Sequence, residues 1–476
     1  MKTMSQPDGE AEVGVAHSTD ESGELTRQDP REGRGDQSSE PREGNMTGAQ
    51  KPDNVSTKRS RIAMLAECHP QRAFTSLAHH MDAEWLKMAY RMTRRDGAVG
   101  IDGQTAEAFG GDLEANIQRL LDEAKSGCYR APPVRRVHIP KGDGQATRPI
   151  GIPTFTDKVL QRAVVALLEP LYEQDFQDCS YGFRPGRSAH QAVQTVWQGL
   201  SSMGGGWVID LDIRAFFDTI DHEHLRAFLQ QRVRDGVILR LIDKWLKAGV
   251  LEAGQWQKGE MGSPQGGVIS PLLANVYLHY VLDEWFENDV KPRLKGKAFS
   301  VRFADDAVLA FNNEADARRV LAVLPKRFAR FGLTLHPTKT RLVRFRPYHE
   351  ERAETFDFLG FTHFWGKSRR GYWIIKRKTA RDRFRRGLKQ FTRWCRRHRH
   401  LPLREQFVLL SRKLRGHFAY YGIRGNFKAL QTFRFRVERI WVKWLSRRSQ
   451  RGRISWDRAS QMLSVFELPR ARIVHQ

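Results

Sequence analysis

The spacing of apolar positions changes several times along the chain. Residues 1–57 show no period at all. They are rich in Gly, Ser, Asp, Glu, Gln and Pro and nearly free of aromatics, so they cannot bury enough surface to offset ordering entropy and are predicted disordered. Helical spacing begins near Ser60. Asp82 is placed to cap a helix running through Trp85, Leu86, Met88, Ala89 and Tyr90, the run from Gly97 to Gly103 reads as a loop, and a second helix is predicted over residues 105–126. Between Val134 and Pro153 the pattern becomes extended around a Gly-containing turn at residues 141–144, which predicts a hairpin carrying basic residues. Residues 157–172 read as a mostly buried helix. Residues 207–213 alternate like a strand, with Val208, Asp210 and Asp212 on one face. Short strands and helices follow to about Gly366, after which the chain reads as helical and basic. There Phe433, Val437, Ile440, Trp441 and Trp444 make one apolar helix stripe, with Arg434, Lys443 and Arg447 off it.

Composition narrows the class. The chain has 476 residues, enough for two or three domains, and its 40% apolar content with 12 Trp supports a globular body. Its longest apolar runs, such as residues 163–168, fall far short of the ~20 residues of a membrane span, and the N-terminus carries no hydrophobic signal segment. No membrane partner is expected. Cys68, Cys128, Cys179 and Cys395 stand far apart and form no Cys-x-x-Cys, which argues against a zinc site or a disulfide framework and fits a reducing cytoplasm.

Charge is strongly segregated. Net charge is +26, yet residues 1–57 hold 6 Lys/Arg against 12 Asp/Glu, a net of −6. Residues 371–476 hold 29 Lys/Arg against 5 Asp/Glu, a net of +24. A basic block of that density, interleaved with Trp, Tyr and Phe, is the footprint of a nucleic-acid-binding surface; a solvated basic face or an anionic membrane is the alternative.

The most specific chemistry lies in the run Val301-Arg302-Phe303-Ala304-Asp305-Asp306-Ala307-Val308-Leu309-Ala310-Phe311. An apolar segment breaks for two adjacent carboxylates and resumes, as a hairpin with an acidic tip would. Two carboxylates in one turn repel, and a bound cation relieves that repulsion. A bare Asp-Asp pair more often marks a solvated turn; the apolar flanks and a third carboxylate upstream, Asp212, favour the cation. Two divalent ions held by Asp212 and Asp305, with the backbone carbonyl of Ile213 as a further ligand, suit a polymerase, which must activate a primer hydroxyl and stabilise charge on an α-phosphate.

The chain resembles a bacterial group II intron-encoded reverse transcriptase, or maturase. Eight blocks carry the resemblance in the family's order. They begin with Gly100-Ile101-Asp102-Gly103, Arg148-Pro149-Ile150-Gly151-Ile152-Pro153 and Tyr181-Gly182-Phe183-Arg184-Pro185. Asp212-Ile213-Arg214-Ala215-Phe216-Phe217-Asp218 follows, then the Gly262-Ser263-Pro264-Gln265-Gly266-Gly267 segment and the acidic turn. Gly332-Leu333-Thr334-Leu335 with Lys339-Thr340, and Phe358-Leu359-Gly360-Phe361, complete the series. The family usually has Tyr where this chain has Phe303, a change near the primer end that leaves metal binding untouched.

The resemblance implies an α/β (α+β) right-hand polymerase with fingers, an antiparallel palm sheet packed on helices, and an all-helical basic thumb. The expected segments are 1–57 disordered, 58–135 a helical extension, 136–366 fingers and palm, and 367–476 thumb. It makes Asp212, Asp305 and Asp306 catalytic, with Asp212, Ile213 and Asp305 as ligands of two Mg2+ ions, for which Mn2+ could substitute. Lys141, Arg148, Phe217, Gln265 and Gly266 would bind the nucleotide, Phe217 by blocking a 2′-hydroxyl. Each has a plainer alternative: a core Phe at 217, ordinary surface cations at 141 and 148. Lys339 would lie near the active-site region. Lys413, Arg415, Tyr420, Tyr421, Arg434, Lys443 and Arg447 would bind RNA or DNA, although Tyr420 and Tyr421 equally suit packing between helices.

Implied partners are intron RNA, a template–primer RNA/DNA duplex, target DNA and dNTPs, in a bacterial cytoplasm near the nucleoid. Many family members append a Cys/His-containing endonuclease, and no such pattern is expected here. A pure splicing maturase and a stand-alone reverse transcriptase of the retron or CRISPR-associated kind remain alternative readings.

Overall fold

The computed structural model describes residues 55–140, 147–252, 255–257, 262, 266–347, 354–448 and 453–475. Residues 1–54, the bulk of the segment expected to be disordered, lie outside them, and the first helix already begins at Val55. Eleven strands are described: β1 (Val134–Pro140), β2 (Thr147–Ile152), β3 (Gly206–Asp212), β4 (Val250–Glu252), β5 (Gln255–Gln257), β6 (Ala298–Phe303), β7 (Asp306–Phe311), β8 (Arg341–Phe345), β9 (Phe356–Phe358), β10 (Phe361–Lys367) and β11 (Trp373–Thr379). They form three sheets, ordered β2-β1-β4-β5, β6-β7-β3-β8 and β11-β10-β9. The expected mixture of α and β, with an antiparallel sheet packed on helices, is what the chain adopts.

Helix Phe155–Asp175 runs through the largest core, with Val159, Leu160, Ala163, Val164, Leu167 and Leu168 all buried. Against it pack Val55–Cys68 and Ala83–Met92, the latter capped as predicted by Asp82, whose Oδ1 accepts from Trp85 N at 2.9 Å. The single helix expected over residues 105–126 is two, Ala106–Gly110 and Leu113–Ser126. Gly110-Gly111 breaks it: glycine is a poor helix former, and a Cβ at Gly110 would stand 2.5 Å from the Tyr90 hydroxyl, so the close approach requires glycine there.

The central sheet separates two cores. Trp207, Ile209, Leu211, Ala307, Leu309 and Phe311 face the first; Val208, Val301, Val308, Ala310, Val343 and Phe345 face a second, shared with helix Ala189–Ser202 and the third sheet. Side chains that oppose across an antiparallel pair share a face, so the register Val208↔Ala310, Asp210↔Val308 and Asp212↔Asp306 extends the second row into carboxylates at one end of the sheet.

Beyond residue 380 the chain is helical, in Arg381–Arg397, Leu403–Tyr421, Phe427–Leu445 and Trp456–Val465, around its own core. In the predicted stripe Phe433, Val437 and Trp441 are buried, while Ile440 and Trp444 are half-buried against them. Helix does not begin at 367, however. Residues 373–379 form β11, which pairs with all seven residues of β10 and turns Ile375, Arg377 and Thr379 inward. Three cations inside that segment, Lys376, Arg377 and Lys378, mask the aromatic and β-branched run Trp373-Ile374-Ile375 that favours a strand.

Candidate active site

The acidic turn is a two-residue loop between β6 and β7, closed by the pair Phe303↔Asp306. Ala304 adopts φ 57°, a left-handed conformation that costs a non-glycine residue about 1 kcal/mol and must be held by its surroundings. Three contacts hold it. A Cβ at Gly182 would stand 2.3 Å from Ala304 N, so Gly182 is the only residue type that lets its loop lie under the tip. That loop is tied to β6 by Tyr181 N donating to Arg302 O (2.8 Å) and Arg302 N donating to Cys179 O (2.7 Å). The third is Arg302 itself.

Arg302 is 1% exposed and spends all five guanidinium donors inside the protein. Nε and Nη2 reach the Asp283 carboxylate at 2.6–3.1 Å, Nη1 reaches Asn275 Oδ1 (2.9 Å) and the Ala304 carbonyl (3.0 Å), and Nη2 also reaches Ser180 Oγ (2.7 Å). Asn275 in turn donates to Gly182 O at 2.7 Å. A fully saturated, buried ion pair therefore grips the carbonyl immediately before Asp305. Sequence reasoning missed this brace. An arginine alternating with Val301 and Phe303 was a visible signal, but Asp283 and Asn275 lie on a preceding helical segment that nothing in sequence links to it.

The carboxylates stand as the register requires. Asp212 ends β3 opposite Asp306, and Asp305 occupies the turn. Burial, then the neighbouring Asp212 charge, raise the Asp305 carboxyl above its ordinary range, while Arg148 and Lys339 oppose the rise. Asp306 meets solvent at its tip, yet the protein crowded around it, with Asp305, Asp212 and Asp210, pushes its carboxyl up to about 6; Arg383 opposes this. Asp210, on the same row, is also pushed up to about 6 by burial, against the pull of Arg341. Lys339 Nζ lies 2.9 Å from Asp212 Oδ2, which places it in the site as the resemblance implied.

The strand geometry also aims a main-chain oxygen. Asp212 O accepts from His336 N (2.8 Å) and Arg214 N donates to Thr334 O (2.8 Å), flanking the bridge Ile213↔Leu335. In that pattern the N–H and C=O of Ile213 itself point to the opposite edge, the side of β7 and the acidic turn. Two carboxylates and a carbonyl, all oxygen donors, fit a magnesium ion that keeps several waters. Among the described residues no three acidic, His or Cys side chains are grouped so as to hold a metal ion by themselves.

The remaining expected residues divide. Lys141 and Gln265 lie outside the described residues. Arg148 is exposed on β2 and acts electrostatically on Asp305. Gly266 packs on that same strand, where a Cβ would stand 2.5 Å from Gly151 O. Of the neighbouring aromatics, Phe216 is the buried one at 2% exposure, and Phe217 is only partly buried beside it. Lys413, Arg415, Lys443 and Arg447 are exposed, whereas Arg434 is paired with Glu438 (3.1 Å) and Glu467 (3.5 Å). Tyr420 stacks on Phe361 and donates to Leu359 O at 2.9 Å, and Tyr421 meets Phe361 edge-on, so both rings join the helical segment to the third sheet.

Beneath the Gly266 loop lies a buried group that sequence reasoning passed over. Asp157 is 2% exposed, contacts the Tyr129 hydroxyl, and is pushed by burial up to about 8. One turn on, Gln161 Oε1 accepts from Val268 N (2.8 Å) and Ile269 N (3.3 Å), fixing the loop's end. An unfolded aspartate titrates near 3.9, so from about pH 4 to about pH 8 the folded chain holds a proton that the unfolded chain releases. Stability from this group is full below about pH 4 and is lost as pH rises, by about 1.4 kcal/mol per unit. Urea unfolding from about pH 5 to about pH 7 should show the wild type losing roughly 2–3 kcal/mol more than Asp157→Asn; parallel curves would contradict the assignment.

Comparison with known proteins agrees with this geometry. The profile of the reverse transcriptase (RNA-dependent DNA polymerase) family matches residues 139–363, which include the hairpin, the central sheet and the acidic turn. The chain belongs to the reverse transcriptase family. Protein YkfC of Escherichia coli K12 is 38% identical over 257 residues, covering 48% of this chain and 67% of that protein. Group II intron-encoded protein LtrA of Lactococcus lactis subsp. cremoris is 45% identical over 180 residues, 38% of this chain and 29% of its own length. An uncharacterized 91 kDa protein in the cob intron of Schizosaccharomyces pombe is 28% identical over 354 residues, 63% of this chain and 43% of that one. The chain thus spans two thirds of the first relative and less than half of the other two. A solved telomerase from Candida albicans aligns at a TM-score of 0.41 and 13% identity, over 76% of this chain and 66% of that one, too distant to add to the assignment. Among the described residues no helix is long and apolar enough to cross a membrane.

Proposed function

We propose that the protein is an RNA-directed DNA polymerase encoded by a group II intron, which binds intron RNA to assist splicing and copies it into DNA during retrohoming. One observation carries the catalytic half: Asp212 and Asp306 oppose each other at the end of one sheet, with Asp305 in the turn between them and the next strand. Two Mg2+ ions held by Asp212, Asp305 and the Ile213 carbonyl would supply an activated primer 3′-hydroxyl and charge stabilisation at the α-phosphate. Arg148 would contribute positive charge to the triphosphate, as would Lys141, which follows β1 in sequence. Lys339, paired to Asp212 here, would hold that carboxylate in place. The two relatives named for introns support the intron reading over the retron and CRISPR-associated alternatives.

The test is extension of a DNA primer on an RNA template by the purified chain with dNTPs and Mg2+. Extension is expected, and its absence from folded protein would defeat the reading. The partly buried ring of Phe217 would wall the sugar pocket. Phe217→Val or Phe217→Ala should therefore admit ribonucleotides, raising the ratio of rNTP to dNTP incorporation by about 10-fold or more, in line with a removed contact of 1–3 kcal/mol. An unchanged ratio would return Phe217 to the core.

A further inference from the structure

Arg377, on β11, is a buried cation without a counter-charge. It is 4% exposed, and helix Ala189–Ser202 fixes its guanidinium through two residues. Nη1 donates to Gln194 Oε1 at 2.9 Å, and the group lies over the Trp197 ring, 5.2 Å from its centroid. Among the described residues no carboxylate pairs with it, and Gln194 is the one acceptor its side chain meets. Arg302, just as buried, has Asp283 and spends every donor inside the protein. Burial, then the Arg424 charge, push Arg377 down to about 10. Its cross-strand neighbour His363, wholly buried, feels the same field: burial, then Arg377, push that imidazole down to about 3.

Arg377 lines an open recess of about 450 Å³, within the size range of small-molecule sites. The walls are polar but supply no anion. Gln191 and Gln194 contribute neutral amides, and His190 and His475 stack on each other at 3.7 Å. Each imidazole donates from Nε2 to a main-chain carbonyl, Tyr420 O and Ala419 O, both at 2.8 Å. The other guanidinium of the recess, Arg187, is already matched, reaching Asp178 at 2.6 Å and stacking over Tyr181. Taking a guanidinium out of water is costly, and only an anion with matching acceptors offsets that cost fully. Its fork fits phosphate oxygens two at a time.

We propose that this recess binds a small phosphate-bearing molecule, with Arg377 as the anchor for its phosphate. The ligand supplies the missing counter-charge where helix Ala189–Ser202, β11 and the residues around His475 meet. The site depends on neither half of the proposed function. The probe is inorganic pyrophosphate, titrated calorimetrically into the full chain in Mg2+-free buffer, which keeps metal-bound pyrophosphate out of the acidic turn. Saturable binding is expected, and Arg377→Met should weaken it about tenfold or more, the loss of hydrogen bonds to a charged group. Gln194→Glu keeps the side-chain shape and sets a carboxylate against the guanidinium. It should raise the melting temperature by about 2 °C or more and abolish pyrophosphate binding, because the chain then carries its own anion. Equal binding by wild type and Arg377→Met marks an adventitious ion only and overturns the proposal. So does a Gln194→Glu variant that melts no higher and binds pyrophosphate unchanged. Transfer RNA should bind Gln194→Glu as tightly as wild type. A tenfold fall in that affinity with pyrophosphate binding intact would give the recess to a polymer and overturn the proposal as well.

Discussion

Asp305→Ala should lower primer extension on RNA by about 10³-fold or more, the several kcal/mol of transition-state charge stabilisation that the metal ions supply. Asp306→Ala should be similarly severe. Folded RNA should still bind both variants with near wild-type affinity, because most cations of the basic block beyond residue 370 stand on the helices after residue 380 and not on the strands that carry the acidic turn. The turn is also under electrostatic strain, since Asp305 and Asp306 are held above their ordinary range by burial and by neighbouring carboxylates. Each alanine removes one of those charges, so the variants should melt no lower than the wild type. Loss of extension with a marked drop in melting temperature would mean that the carboxylates hold the fold and not the ions.

Arg302→Met should be the most damaging single change outside the carboxylates. It strands Asp283, itself 1% exposed, without its counter-charge, at a cost of about 3–5 kcal/mol, and releases the Ala304 carbonyl. The pair Arg302→Met/Asp283→Leu separates the two effects. Replacing both members of a buried ion pair with apolar residues is often close to neutral, so denaturant unfolding should show most of the lost stability recovered. Extension should not recover with it, because the guanidinium that grips the carbonyl before Asp305 is then gone. Such uncoupling identifies Arg302 as a positioning residue. Equal recovery of stability and activity would reduce the brace to core packing.

The legibility of this site in sequence was uneven for physical reasons. The acidic turn and the strand ending at Asp212 could be read because local alternation puts carboxylates where apolar residues should continue. The hairpin at residues 134–153 and the cap at Asp82 were likewise local. Residues 373–379 misled because three consecutive cations outweighed a short apolar run, and residues 105–126 because one helical period spans a glycine pair, of which Gly110 meets Tyr90 in the fold. Tyr420 and Tyr421 carry an aromatic signal that sequence cannot divide between base stacking and packing, and the pairing of Arg434 with Glu467 joins a helix to the segment after the last one.

Sequence by itself determined the chemistry: which carboxylates exist, that they interrupt apolar strands, that positive charge accumulates at one end of the chain, and the family to which these motifs belong. Only the tertiary structure decided how the carboxylates meet and what holds them. The register of β3 against β7 puts Asp212 opposite Asp306. Gly182 and Arg302 then fix the turn from beneath. Those contacts join residues as much as 122 positions apart, as Ser180 and Arg302 are, and a periodic pattern constrains only near neighbours.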